Sequence, residues 1–365
     1  MNITFVSTGS KIDVFPPAKG GIEILEFDLI NELKKKGNKI QLYASKSEIE
    51  NSVEIGSGIS FDRLHNFLSM YNCWAKRKLV SGEIIHCHYP LTAYPFLGSK
   101  PLVYSEHNWY NLAEAKYHKT VFTPLFNFFQ SKVYQKADRI IALSSEIQKI
   151  IQNKIPEQKD KIVFIPNFVN PEIFVPSKKT ENKIVFVGRL DKEKGLDLLI
   201  EVLGELKNKF DFELDVIGTG PLRKKLESQA KKEKINCEFF GFVSHNELSH
   251  FFSSASIFVL PSFFEVMPVV ILEAMSSGCA VIASDAFGVN DQLSQNAGLI
   301  FEKGNKKELK QHLISLLSSS QLCSFFGKTA REKVLNEFDV KIIAEKIENL
   351  YIEILEERKN KMKIN

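Results

Sequence analysis

Residues 261–278 read PSFFEVMPVVILEAMSSG, from Pro261 to Gly278, with Glu265 and Glu273 eight positions apart. A short apolar strand, 257–260, runs into a loop that bears the first glutamate, and a second apolar strand, 280–283, follows. The spacing between them predicts a helix. Pro268 suits its first position, where the missing N–H would lack a partner anyway, and Gly278 suits its end. Such a helix opens with unpaired N–H groups at the carboxyl end of a parallel sheet, which is a setting for phosphate. Glu273 lies roughly one and a half turns beyond Pro268, near enough to grip a sugar hydroxyl beside that phosphate. A free carboxylate against an apolar run is a poor structural choice, so the pair points to a ligand.

Outward from this stretch, apolar strand-like runs alternate with helical patterns along all 365 residues. Strands are expected at 3–7, 39–44, 83–88, 102–107, 139–144 and 161–167, and in the second half at 183–188, 212–218, 237–242, 256–260, 280–284 and 298–301. This grammar predicts parallel sheets covered by helices. Residues 171–182, PEIFVPSKKTEN, form a charged, proline-bearing connector. Residues 321–357 have a helical pattern, and 360–365 are expected to fray. The architecture is α/β: two doubly wound domains, with ligands in the crevice beyond the carboxyl ends of the strands. Two domains also fit the length, which exceeds what one ordinary core supports.

Composition bounds the function classes. An apolar fraction of 44% is that of a globular protein. The longest apolar-looking stretch, 256–275, is interrupted by Pro261, Glu265, Pro268 and Glu273, so it cannot span a bilayer. Met1 leads directly into a strand, so no signal peptide is expected. Five scattered cysteines (Cys73, Cys87, Cys237, Cys279, Cys323) point to free thiols in a reducing cytoplasm. Residues 1–180 carry 23 basic and 17 acidic side chains, and the remainder 25 and 27. That mild asymmetry is either ordinary surface variation or a preference for an acidic partner in the first half. Nucleic acid would call for a stronger, clustered basic signal.

Several strand ends carry chemistry. The strand 184–188 ends in GRLDKEKG, which delivers Arg189 and Lys194 into one loop. Two cations there can neutralise a diphosphate as it departs. The alternative is a solvated loop with Arg189 or Lys194 paired to Asp191 or Glu193. The strand 212–218 ends in GTGPL: Gly218 and Gly220 permit either close approach to a ligand or a tight turn, and the third glycine of a dinucleotide fingerprint is missing. Gly20 and Gly21, in PPAKGGIE before a helical pattern, could bring amides against a phosphate or sugar. His107 ends the strand LVYSEH and is expected to contact substrate, whereas His86 is assigned to the core. No spacing supports a metal site, so catalysis without a tightly bound metal or cofactor is expected.

GRLDKEKG, VIGTGPL, GFVSHNEL, the Glu-x7-Glu pair and the early KGG loop occur in the order seen in retaining, GT-B-fold glycosyltransferases of family 4, and IPNFVN (165–170) resembles that family's pre-linker turn. The resemblance covers nearly the whole chain. It implies an acceptor-side Rossmann-like domain over 1–175 and a nucleotide-sugar domain over 176–339, facing across a central cleft, with a last helix at about 340–357 packed back on the first. It implies that Glu273 binds the donor ribose, Glu265 the transferred sugar, and Arg189 and Lys194 the diphosphate, with help from the amides of Met267, Val269 and Val270. Phe242 and Val243 would line the base pocket. His107 would contact the sugar, and Gly20 and Gly21 the closing loop. Val266, Met267–Pro268 and Phe168 depart from the family pattern, which bears on donor-sugar specificity.

The implied activity is hexosyl transfer from a UDP-, GDP- or ADP-sugar to a glycan or lipid-linked acceptor in cell-surface polysaccharide or glycoconjugate synthesis. A nucleotide-sugar epimerase, a glycan phosphorylase and a non-catalytic binding subunit are the alternatives. Residues 118–136, HKTVFTPLFNFFQSKVYQK, mix aromatics with basic flanks. They are expected either to pack as a core helix or to rest peripherally on the inner, anionic membrane face.

Overall fold

The computed structural model describes residues 1–7, 21–44, 51–55, 62–107 and 123–364. These divide into two compact units: Met1–Pro166 with Val340–Asn365, and Asn167–Asp339.

In the first unit the strands are β1 (Asn2–Val6), β2 (Lys39–Ala44), β3 (Ser52–Glu54), β4 (Ile84–Cys87), β5 (Leu102–Glu106), β6 (Arg139–Ala142) and β7 (Ile162–Phe164). They pair in parallel in the order β3-β2-β1-β4-β5-β6-β7. Neither apolar alternation nor a branched run marks β3, which is why the sequence did not announce it. The helices are α1 (Gly21–Lys35), α2 (Asp62–Lys76), α3 (Pro90–Ala93), α4 (Thr123–Lys136) and α5 (Ser145–Lys154). The inner strands are buried on both faces (Ile3, Phe5, Ile84, Ile85, Val103, Tyr104), as a parallel sheet sandwiched by helices requires.

The second unit holds β8 (Thr180–Val187), β9 (Glu213–Ile217), β10 (Cys237–Gly241), β11 (Ala255–Leu260), β12 (Ala280–Ser284) and β13 (Leu299–Phe301), parallel in the order β10-β9-β8-β11-β12-β13. Its helices are α6 (Leu196–Leu206), α7 (Arg223–Glu233), α8 (His245–Ser254), α9 (Val269–Ser276), α10 (Val289–Leu293), α11 (Lys306–Leu317) and α12 (Ser320–Lys333). Ile184 and Phe186, Leu214 and Val216, and Ile257 and Val259 all enter one apolar cluster with α6, α7 and α11. The period-2 alternation of strands selects that face.

The last helix, α13 (Val340–Ile364), belongs to the first unit. Ile343, Ile347, Leu350, Tyr351 and Ile354 recur at helical spacing and are buried. Asn38 donates to Glu348 at 2.6 Å, and Arg358 forks onto Asp138 at 2.9–3.1 Å. The helix runs on to Ile364 instead of fraying from 360.

The division falls at Pro166/Asn167, ahead of 175/176, because the connector is docked on the second unit. Asn167 Nδ2 donates to the Met267 carbonyl at 2.7 Å, and Phe174 is fully buried with its carbonyl bonded by Ser276 and Arg331, each at 2.7 Å.

Candidate functional site

Of the predicted donor-site residues, those of the second unit lie on loops that leave the carboxyl ends of β8, β9, β10 and β11 and in helix α9. Backbone contacts fix those loops against one another. Gly195 adopts φ +65°, and a Cβ there would stand 2.2 Å from the Pro261 carbonyl oxygen. Beside it, Phe263 N–H donates to Glu193 O at 2.7 Å. The loop after β8 is thereby pressed on the loop after β11, and Lys194 Nζ reaches Glu265 Oε1 at 2.7 Å. Both side chains are mostly buried. Burial alone would pull the Lys194 ammonium down, but Glu265, with Glu193 behind it, holds it above its ordinary range.

Gly218 and Gly220 serve a protein–protein backbone approach. A Cβ at Gly218 (φ +139°) would lie 1.9 Å from Gly188 O, and one at Gly220 2.4 Å from Leu190 O. Leu190 N–H donates to Thr219 O, and Leu222 N–H to Leu190 O. The tight packing of these two loops requires both glycines.

Helix α9 differs from expectation by one residue. Pro268, with ψ 116°, is the cap and Val269 the first helical residue. Among the described residues no acceptor takes the N–H groups of Met267, Val269 or Val270. The helix closes as a Schellman motif: Gly278 (φ +73°) N–H donates to Met275 O, and Cys279 N–H to Ala274 O. Two residues that the motif reading did not single out set its start. Gln292 Nε2 donates to Pro268 O at 2.9 Å, and Asn167 holds the preceding carbonyl. Gly288 (φ +74°) passes so close to Val266 and Met267 that a Cβ would lie 2.7 Å from Val266 O.

Glu273 is buried inside α9, and its Oε1 meets His245 Nε2 at 2.9 Å. His245 opens α8, where Ser244 and Glu247 form a reciprocal capping box, and its ring packs edge-on to Phe174 at 4.9 Å. Ser-x-x-Glu at 244–247 is the sequence signal for that box, one that the motif reading did not single out, and no local signal marks the reach of His245 to Glu273. Phe242 is exposed just past β10, with Val243 half-buried beside it.

Arg189 does not join Lys194 and Glu265. Its side chain is 56% exposed, paired to Asp191 and lying 3.6 Å from Glu193. Its pairing is the one the solvated-loop alternative named, and Lys194 lies 3.8 Å from the same Glu193.

In the first unit, His107 is half-buried at the end of β5, its Nε2 3.1 Å from His88 Nδ1. His86 is a core residue, held by Tyr351 OH at 2.5 Å and Ser105 Oγ at 2.7 Å. Gly21 is the exposed first residue of α1. Gly20, the rest of the KGG loop and 118–122 lie outside the described residues. Within α4, Phe126 and Tyr134 are buried while Leu125 and Phe128 are exposed, so the aromatic segment serves the core on one side only. No described helix is long and apolar enough to cross a membrane.

Two family profiles match the chain. The profile described as Glycosyltransferase Family 4 matches residues 19–173, and Glycosyl transferases group 1 matches 169–333. Sulfoquinovosyl transferase SQD2 of Arabidopsis thaliana is 31% identical over 193 residues, which cover 51% of this chain and 37% of the relative. The chain spans about half the length of the curated relatives it matches. Sucrose-phosphate synthase from Thermosynechococcus elongatus superposes with a TM-score of 0.81 at 20% identity, over 97% of this chain and 99% of that one. HepE of Anabaena, solved in complex with UDP-glucose, gives 0.76 at 16% identity, over 97% and 100%. At those identities the likeness establishes the shared fold.

Proposed function

The chain belongs to the GT-B glycosyltransferases of the family 4 type, and from that premise we propose that it moves a hexose from a nucleoside-diphosphate sugar to a glycan or lipid-linked acceptor, with retention at the anomeric carbon, in polysaccharide or glycoconjugate synthesis. The observation that carries this reading is the convergence in the second unit of Lys194, Glu265, the open N–H groups of α9 and Glu273. A UDP-sugar is the first donor to test, because HepE, a neighbour of the same fold, binds UDP-glucose; GDP- and ADP-sugars are the other two.

The chemical demand is to stabilise a departing diphosphate and a short-lived oxocarbenium-like centre. The α9 N–H groups and Lys194 supply preorganised positive potential, and Arg189 joins them once it exchanges Asp191 for phosphate. Glu273 accepts from the ribose hydroxyls through Oε2 while His245 occupies Oε1. Glu265, relieved of part of its bond to Lys194, accepts from the sugar, and Phe242 and Val243 flank the base. Neither glutamate acts as a nucleophile: the acceptor attacks on the face the diphosphate leaves, and a diphosphate oxygen takes its proton. No tightly bound metal takes part. We further propose a cytoplasmic enzyme that touches the inner membrane face through exposed Leu125 and Phe128, with Lys132 over the Phe128 ring at 5.6 Å. Flotation of the whole chain with anionic vesicles is expected, and its absence would remove that contact.

The deciding experiment is a thermal-shift panel of UDP, GDP and ADP on the wild type and on Glu273→Ala. A nucleotide at about 100 times its dissociation constant should add about 2.7 kcal/mol to the native state. One nucleotide that stabilises the wild type and not the variant is the expected result. No shift with any of the three would overturn the donor-dependent reading.

A further inference from the structure

Three chemistry-bearing residues meet where β1, β4 and β5 end against α1: Glu26, His88 and His107. His86 is spent on Tyr351 and Ser105, and its ring stacks on His88 with centroids 4.5 Å apart. His88 and His107 share a hydrogen bond of 3.1 Å between Nδ1 and Nε2. On the other side of His88, Nε2 stands 3.9 Å from Glu26 Oε1. Glu26 is 1% exposed, the Ser7 hydroxyl faces it, and neither carboxyl oxygen has a well-aligned hydrogen bond among the described residues. Leu25, Leu29, Ile30 and Leu33 of α1 are buried apolar groups, and Glu23, Asp28 and Glu32 are buried on the same helix, but Glu26 is the most deeply buried of its acids. A buried, unbonded carboxylate is costly, so the group should exist in the proton-bearing form or pass its charge on.

Its surroundings define how. Glu26 faces Ser7 after β1, Cys87 and His88 at the end of β4, Tyr351 of α13, and Glu23 on its own helix, with His86 and His107 around His88. None of these is a permanent cation. Burial pushes the Glu26 carboxyl up to about 8, against the pull of the Ser7 hydroxyl and with help from Glu23. Burial also keeps both histidines uncharged near neutrality, drawing His107 down to about 4 and His88 well below its ordinary range.

We propose that Glu26 is a positioning residue which, through His88, sets whether the second ring nitrogen of His107, Nδ1, donates or accepts a hydrogen bond. With Glu26 protonated, its O–H points at His88 Nε2, His88 Nδ1–H donates to His107 Nε2, and His107 Nδ1 carries the proton. With Glu26 ionised, the order reverses. The carboxyl proton passes to His88 Nε2, the His88 Nδ1 proton passes to His107 Nε2, and one proton leaves from His107 Nδ1. Both rings stay neutral, and the charge stays on Glu26. The 3.9 Å separation has to close by about an ångström for the first link to form. The proton order stands by itself; its effect on transfer rests on the proposed contact of His107 with the sugar.

The test is NMR of the whole chain labelled with 15N in histidine and 13C in the glutamate carboxyls, titrated from pH 6 to 10. His107 is expected to exchange its protonated nitrogen from Nδ1 to Nε2 with the same midpoint as the Glu26 carboxyl, and Glu26→Gln is expected to abolish the exchange. An unchanging His107 tautomer in the wild type, a midpoint different from that of Glu26, or an exchange that survives in Glu26→Gln would overturn the proposal. If Glu26→Gln does not fold, the agreement or disagreement of the two wild-type midpoints decides. A transfer rate that ignores an observed exchange would uphold the relay and reject the contact between His107 and the sugar.

Discussion

Replacing Lys194 by Met removes the cation from a pair with only 18% and 11% side-chain exposure at 2.7 Å. At an effective dielectric of about 20 the bare attraction at that distance is about 6 kcal/mol, and desolvation of both groups offsets much of it. Deleting one partner leaves Glu265 half-buried beside Glu193 with no cation, so Lys194→Met should cost about 3–5 kcal/mol. In a unit of this size that lowers the melting temperature by roughly 6–20 °C. Glu265→Gln keeps an acceptor for the ammonium, which also lies 3.8 Å from Glu193, and should cost less. The double variant should cost clearly less than the sum, because neither stranded charge remains. The pH dependence follows from the raised Lys194 value: its contribution is complete below the unfolded 10.5 and is lost only as pH rises through the higher folded value. The costs should therefore be flat between pH 6 and 9. Calorimetry of the four proteins at two pH values measures the cycle. Additive costs, or a Lys194→Met protein as stable as wild type, would refute the pairing as a buried interaction and with it the claim that the two loops are fixed on each other.

For Glu26, the folded carboxyl lies at about 8 against 4.5 unfolded, so wild-type stability should decline as pH rises between those values, on the order of 5 kcal/mol in all. Glu26→Gln should flatten that slope in urea titrations at pH 5 and 8.5, and an unchanged slope would reject the raised value. His245→Ala should weaken nucleotide binding about tenfold by freeing Glu273 Oε1 from its positioning bond, measured by titration calorimetry; equal affinity would deny His245 that role. Arg189→Ala should lower turnover by roughly ten- to a thousand-fold, and near-normal rates would leave Arg189 as the exposed partner of Asp191 that it is here. Gly218→Ala should lose more than about 2 kcal/mol, because a Cβ 1.9 Å from Gly188 O cannot be accommodated at φ +139°; an unchanged melting temperature would contradict the loop geometry.

The sequence by itself determined the alternation of strands and helices, because side-chain periodicity and the Gly and Pro punctuation are local properties. Twelve of the strands lie on runs that could be read directly, and only the three-residue β3, with no apolar pattern, escaped. The sequence also determined that chemistry would gather at strand ends, since Arg189, Lys194, Glu265 and His107 each follow an apolar run. What it could not determine was which of these groups touch. Arg189 and Lys194 look equivalent in GRLDKEKG, yet Gly195 turns Lys194 inward to Glu265 and leaves Arg189 in solvent. His245 and Glu273 are separated by a helix and a strand, and Asn167 and Met267 by a hundred residues. Glu26 reads as one more polar residue in α1, until packing removes its water. Desolvation and through-space pairing exist only once distant segments are in place, so tertiary structure alone decided which carboxylates are bonded and which lies buried without a well-aligned partner among the described residues.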